Sequence, residues 1–140
     1  MRHMKIGIDA RFYGAVKQGL GRYCEQLVTQ VTELDAHNEY VIFVLKGHPF
    51  VGLPPNAIII ECTYRWYGIA EQVLWPLLLY RHRLDLMHFT SFNVPLLYRR
   101  RFLITIHDLI LIHYPSAHAS ILQPWHFALK RLAYRLVLRS

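Results

Sequence analysis

The sequence predicts an α/β fold, a doubly wound and mostly parallel sheet with helices on both faces. Three observations carry that expectation. Short apolar runs rich in Ile, Val and Phe recur along the chain, segments with helical apolar spacing alternate with them, and the first run opens into a glycine-rich turn followed by a helix. With 140 residues, 54% of them hydrophobic and 18% charged, the chain is the size of one domain and has enough apolar side chain to offset the cost of ordering its backbone. That composition excludes a disordered segment.

Lys5 to Phe12 places apolar residues at positions 6, 8, 10 and 12, the alternation of a first strand, and Gly14, Gly19 and Gly21 follow it. Tyr23, Leu27, Val31 and Leu34 then recur at helical spacing, which predicts a helix over 21–35. Tyr40 to Leu45 is a continuous β-branched and aromatic run, as in a strand covered on both faces. Gly47, Pro49, Gly52, Pro54 and Pro55 make a loop, and residues 56–60 form a third strand. A helix over 71–83 is bent or begun at Pro76. Residues 85–90 and 102–107 supply two more strands, joined by a loop or short helical connection that holds Asn93, Pro95 and Arg99 to Arg101. From Ser120 onward Trp125, Leu129, Leu132 and Leu136 mark a long amphipathic helix edged by Lys130, Arg131, Arg135 and Arg139.

Cys24 and Cys62 lie far apart, which fits neither a disulfide framework nor a zinc cluster, and both read as buried thiols. The nine histidines include no pair at the spacing of a helical zinc site, so no metal and no other cofactor is expected. Ile69 to Tyr80 is too short to span a bilayer, and Asp9 falls where a signal peptide needs its apolar centre. The chain therefore reads as cytoplasmic. Its net charge of +7 attracts phosphates, anionic lipid or nucleic acid without choosing among them.

In doubly wound sheets ligands bind beyond the carboxyl ends of the strands. Asp9 and Arg11 with the glycine turn, His88 to Asn93, and His107 with Asp108 occupy those ends. The turn lacks the Lys and Ser or Thr that a Walker A loop requires, which excludes a P-loop nucleotidase. Cys24 in place of a third small residue, and Lys46 after the second strand, argue against a nicotinamide site. What remains is either an anion held by bare N–H groups beside Arg22 or a turn that needs glycine only for its backbone angles. His107 with Asp108, and likewise His88, either hydrogen-bonds a sugar hydroxyl or acceptor or is a satisfied core group.

Met4 to Arg11, Gly19-Leu-Gly-Arg-Tyr23, Asn38 to Phe43, Asp85-Leu-Met-His-Phe89, Phe92-Asn-Val-Pro95 and Ile104 to Leu109 together resemble the N-terminal domain of family 4 glycosyltransferases. The likeness covers nearly the whole chain in order. It implies a GT-B architecture, in which two Rossmann-like domains face each other across a cleft. There a hexosyl group passes with retention from a nucleotide sugar to a glycan, lipid-linked or other hydroxyl acceptor, usually without a metal. By the same resemblance Gly19, Gly21 and Arg22 face the donor phosphates, His107 borders the transferred sugar with Asp108 beside it, and Asp9, Arg11, His88 and Asn93 line the acceptor cleft.

The donor-binding C-terminal domain of that architecture is not in this sequence. The expectation is a truncated gene product or half of a split enzyme, inactive alone and needing that domain in cis or in trans. Left without its partner, the final helix would leave apolar surface uncovered and drive self-association. A second expectation, of a different class, is a non-catalytic basic module that binds anionic membrane or nucleic acid, with nucleic acid the less favoured. It rests on Arg99 to Arg101, the late arginines and an interfacial patch of Trp66, Tyr67, Trp75 and Tyr80 near Arg81 and Arg83. Either reading allows peripheral contact with the inner face of a membrane.

Overall fold

A computed structural model describes residues 2–14, 19–63 and 69–107. The elements are β1 (Lys5–Asp9), α1 (Leu20–Leu34), β2 (Glu39–Leu45), β3 (Ala57–Cys62), α2 (Ile69–Arg81), β4 (Leu86–Phe89) and β5 (Phe102–Ile104). They belong to one compact unit, Met1–Thr105. A second unit, Ile106–Ser140, is described only at Ile106 and His107. The expected final helix, with Trp125 to Arg139, and the pair Trp66 and Tyr67 lie outside the described residues.

All pairings are parallel and the sheet runs β3-β2-β1-β4-β5, an open α/β arrangement of the Rossmann-like kind. Side chains of a strand alternate between its faces, so each strand divides between two cores. Ile8, Tyr40, Ile42 and Val44 pack with Cys24 and Val28 of α1. The alternate positions Val41, Phe43, Met87 and Phe89 pack on the other face with Trp75 and Leu79 of α2. β2 is buried from Tyr40 to Leu45, which is why its sequence shows no alternation of polarity. Gly7 lets β1 lie close under this second core, because a Cβ there would come within 2.5 Å of Leu84 Cδ1 and 2.7 Å of Met87 Sδ.

Differences from the expected elements have local causes. β1 stops at Asp9 because the Tyr13 amide closes a turn onto the Ala10 carbonyl at 2.9 Å, although Ala10 and Phe12 stay buried as the alternation requires. β3 continues to Cys62, carried by its pairing with Leu45. α2 neither begins nor ends at Pro76 but passes through it, giving up one backbone hydrogen bond while the ring is buried. β5 is only three residues long, and the Thr105 amide adds one more ladder bond to Phe89 O at 2.9 Å. The β4–β5 connection is irregular rather than helical.

The carboxyl end of α1 is tied to the sheet by one side chain. Asp35 accepts from the amide of His37 at 2.9 Å, from Asn38 Nδ2 at 2.6 Å and from the Tyr40 hydroxyl at 2.7 Å. Its carbonyl accepts from Asn56 Nδ2 at 2.8 Å, just before β3. The Tyr40 hydroxyl, with Asn38, brings the Asp35 carboxyl down to about 2.

Candidate functional site at the carboxyl edge of the sheet

From β1 the chain moves outward to β2 and β3, then returns across the sheet to place β4 beside β1. The strand order reverses there, and the crevice beyond the ends of β1 and β4 is where such folds receive ligands. On the α2 side, Arg11 reaches back to Asp9 through Nε to Oδ1 and Nη2 to Oδ2, both at 2.8 Å. The same Nη2 lies 2.8 Å from Glu71 Oε1, and Asn93 Nδ2 donates to that carboxylate oxygen as well. The guanidinium also stacks over Trp75, with its carbon 4.2 Å from the ring centroid. Burial works against the Arg11 charge, but Asp9 and Glu71 outweigh it and hold the pKa above its ordinary value. Asp9, Arg11, Glu71 and Asn93 are all buried. Three of the four residues expected at an acceptor cleft therefore meet through the interior, beneath the crevice floor.

The fourth, His88, is on the α1 side. Its Nε2 lies 2.8 Å from Thr105 Oγ1, which in turn lies 2.9 Å from the Tyr23 hydroxyl of α1. A threonine hydroxyl has one proton to give and two lone pairs, so in this hydrogen-bond chain Thr105 either accepts from one neighbour and donates to the other or accepts from both. Burial lowers the His88 pKa, with Asp9 opposing, and so favours the neutral ring. Beside this chain Thr90 donates to the Asp9 carbonyl at 2.6 Å, and the Cys24 thiol donates to Thr90 Oγ1 at 3.3 Å. Burial pushes Cys24 up to about 11 and Cys62 up to about 12, so neither is a thiolate nucleophile near neutral pH.

Toward β2 the edge opens into a cavity of about 670 Å3 lined by Tyr13, Gly14, Gly21, Arg22, Glu25 and His48, among others. Gly19 is the N-cap of α1, with φ 37°, no side-chain cap and no acidic residue in the first turn. The first amides of α1 therefore have no intrahelical acceptor, and Arg22 stands exposed beside them. Gly14 is required by its φ of 68° and because a Cβ there would lie 2.7 Å from His48 Nδ1. Tyr13 is fixed by stacking on Phe50 with centroids 3.8 Å apart. This end of the crevice combines the first α1 amides, which have no acceptor within the helix, with a guanidinium and an imidazole, a set suited to an anion, and the Glu25 carboxylate also lines it.

Gly21 and Arg22 thus line one cleft, with Gly19 at the N-cap of the helix that carries them, while Asp9, Arg11 and Asn93 form one internal network. His107 is exposed where the second unit begins, and Asp108 lies outside the described residues. Sequence reasoning missed Glu71, Thr105 and His48. Glu71 left a signal: it is the one carboxylate in a mainly apolar helix, and such a charge survives burial only beside a partner. Among the described residues no helix is long and apolar enough to cross a membrane, and no cluster of His, Cys, Asp and Glu could hold a metal ion. No profile of a known protein family and no curated protein matches this chain.

Proposed function

We propose that the chain is the acceptor-side domain of a retaining glycosyltransferase that takes its sugar from a nucleotide donor. The observation that carries this reading is the glycine turn. β1 leads through Gly14 and Gly19 to an α1 N-terminus with no side-chain cap, which opens beside Arg22 on a cleft large enough for a diphosphate and part of a sugar. The motifs that resemble those of family 4 N-terminal domains run through the same segments. In this scheme the departing diphosphate gathers charge against the α1 amides and Arg22, oriented before reaction and needing no rearrangement during it. The acceptor hydroxyl approaches over the ends of β1 and β4, and the role of His107 beside the transferred sugar rests on the family resemblance alone. The Asp9–Arg11–Glu71 network keeps that floor rigid from below.

One wall does not make a transferase. Donor and acceptor must be held together in a cleft with little water, and the nucleotide side belongs to a second domain supplied in cis or in trans. The isolated chain is therefore expected to turn over no nucleotide sugar. The test begins with the coding sequence beyond Ser140 and its neighbours, which should encode a second Rossmann-like domain with a glutamate-rich donor motif. The two domains together should then transfer sugar with retained anomeric configuration, seen by NMR of the product. Failure to find such a domain, or nucleotide-sugar turnover by the isolated chain that is abolished by His107→Ala, would overturn the reading.

A further inference from the structure

α2 turns one apolar face inward, through Trp75 and Leu79, and a second apolar face outward. Val73, Leu74 and Leu77 are 47%, 41% and 61% exposed, and at 100° per residue they share the side opposite the buried stripe. A helix needs only one such face to hold itself on a sheet.

The β4–β5 connection extends this outer face. It is laid along the helix by three hydrogen bonds: the Leu96 amide donates to Gln72 Oε1 at 3.0 Å, Tyr80 donates to the Leu97 carbonyl at 3.0 Å, and the Arg99 amide donates to the Tyr80 hydroxyl at 2.7 Å. Leu96 and Leu97 are 41% and 55% exposed on it. Arg81 at the end of the helix and Arg99, Arg100 and Arg101 at the end of the connection are all exposed, and the Arg100 guanidinium lies 5.8 Å from the Tyr80 ring centroid. Among the described residues none of these four arginines forms an ion pair, and Asp85, the one acidic residue between Glu71 and Asp108, is engaged by Arg2 and the Lys5 amide.

We propose that this surface docks onto an anionic lipid bilayer, with Val73, Leu77 and Leu97 entering the headgroup boundary and Arg81, Arg99 and Arg100 meeting lipid phosphates. Apolar side chains rimmed by uncompensated cations match the two layers of such an interface, where burial of the first and attraction of the second act together. A second copy of the chain fits poorly, since a two-fold contact through this patch would bring arginines against arginines. Nucleic acid fits less well too. The exposed side chains here are aliphatic, whereas Trp75 is buried and Tyr80 half-buried, leaving no flat ring among the described residues of the patch on which a base could stack. Of the expected aromatic patch, Trp75 is buried, Tyr80 is half-buried, and Trp66 and Tyr67 lie outside the described residues; the inference rests on the aliphatic side chains and stands whether or not the transferase reading does.

The experiment is flotation of the full chain with vesicles of phosphatidylcholine alone and of phosphatidylcholine mixed with phosphatidylglycerol. The chain should float with the mixed vesicles at least about tenfold better than with the neutral ones, and less as salt rises. Leu77→Gln with Leu97→Gln, and separately Arg99→Gln with Arg100→Gln, should each weaken flotation about tenfold while circular dichroism and melting stay unchanged. These side chains are exposed, and replacing them leaves both cores intact. No flotation with anionic vesicles, or flotation indifferent to both pairs of substitutions, would overturn the proposal. So would tighter binding to a single-stranded oligonucleotide than to vesicles, or a concentration-dependent dimer in sedimentation that Leu77→Gln abolishes.

Discussion

Arg11 is the residue whose loss the fold should feel most. Without its guanidinium, Asp9 and Glu71 are left buried with like charge and with Trp75 no longer covered. Arg11→Ala is expected to cost about 3–5 kcal/mol, the usual penalty for removing one partner of a buried ion pair, measured as a fall in the urea midpoint at unchanged slope. His88 carries a different signature. Its folded pKa lies below the ordinary 6.5, so as pH falls the unfolded chain binds the proton first and stability drains away. The contribution is complete above that ordinary value and declines beneath it. Melting temperature should therefore drop between about pH 7 and pH 5, and His88→Gln should flatten part of that slope; an unchanged slope would show that the imidazole is not held neutral. Only part of this site was legible beforehand. The glycine turn announces itself because left-handed backbone selects a residue type, but Glu71, the second partner of Arg11 after nearby Asp9, comes from α2, and nothing in the local sequence specifies that meeting.

Elements rather than residues decide how tightly the layers close. β1 is the central strand and Gly7 its thinnest point, with Leu84 and Met87 resting where a side chain would be. Gly7→Ala is expected to destabilise the fold by about 1–3 kcal/mol through overpacking, seen in denaturant melts; a neutral result would mean that Leu84 and Met87 can retreat. The elements were largely visible in the sequence because strand and helix periods differ so much. Tyr40 to Leu45 could be nothing but a doubly covered strand, and Tyr23, Leu27, Val31 and Leu34 mark the helix that packs on it. Boundaries were less visible. The end of β1 depends on a turn hydrogen bond from Tyr13 to nearby Ala10, the extension of β3 on its pairing with Leu45, which is distant in sequence, and the passage of α2 through Pro76 on a buried ring.

Across the whole molecule, protection should fall from the centre of the sheet to its margin. β2 is paired on both edges and buried from Tyr40 onward, whereas β5 has three residues and, among the described residues, one neighbour. Hydrogen exchange should therefore be slowest at the amides of β2 and β1 and fastest at those of β5, and equal protection across the sheet would contradict this ordering. The order of the strands is the feature least accessible from sequence, since the run that pairs with β1 on its far side begins only at Leu86.

That return to the centre bears on how the chain is made. As it leaves the ribosome, β1, α1, β2 and β3 all emerge before β4, and each new strand pairs with the one just before it in sequence. One side of β1 must wait until Asp85 can reach the Lys5 amide, 80 residues away. Until then the nascent chain carries an open parallel edge over a half-covered core, the condition in which unfinished sheets pair with one another. Slow translation between β3 and β4 would prolong that exposure, making the interval before Leu86 emerges the step at which a chaperone has most to protect.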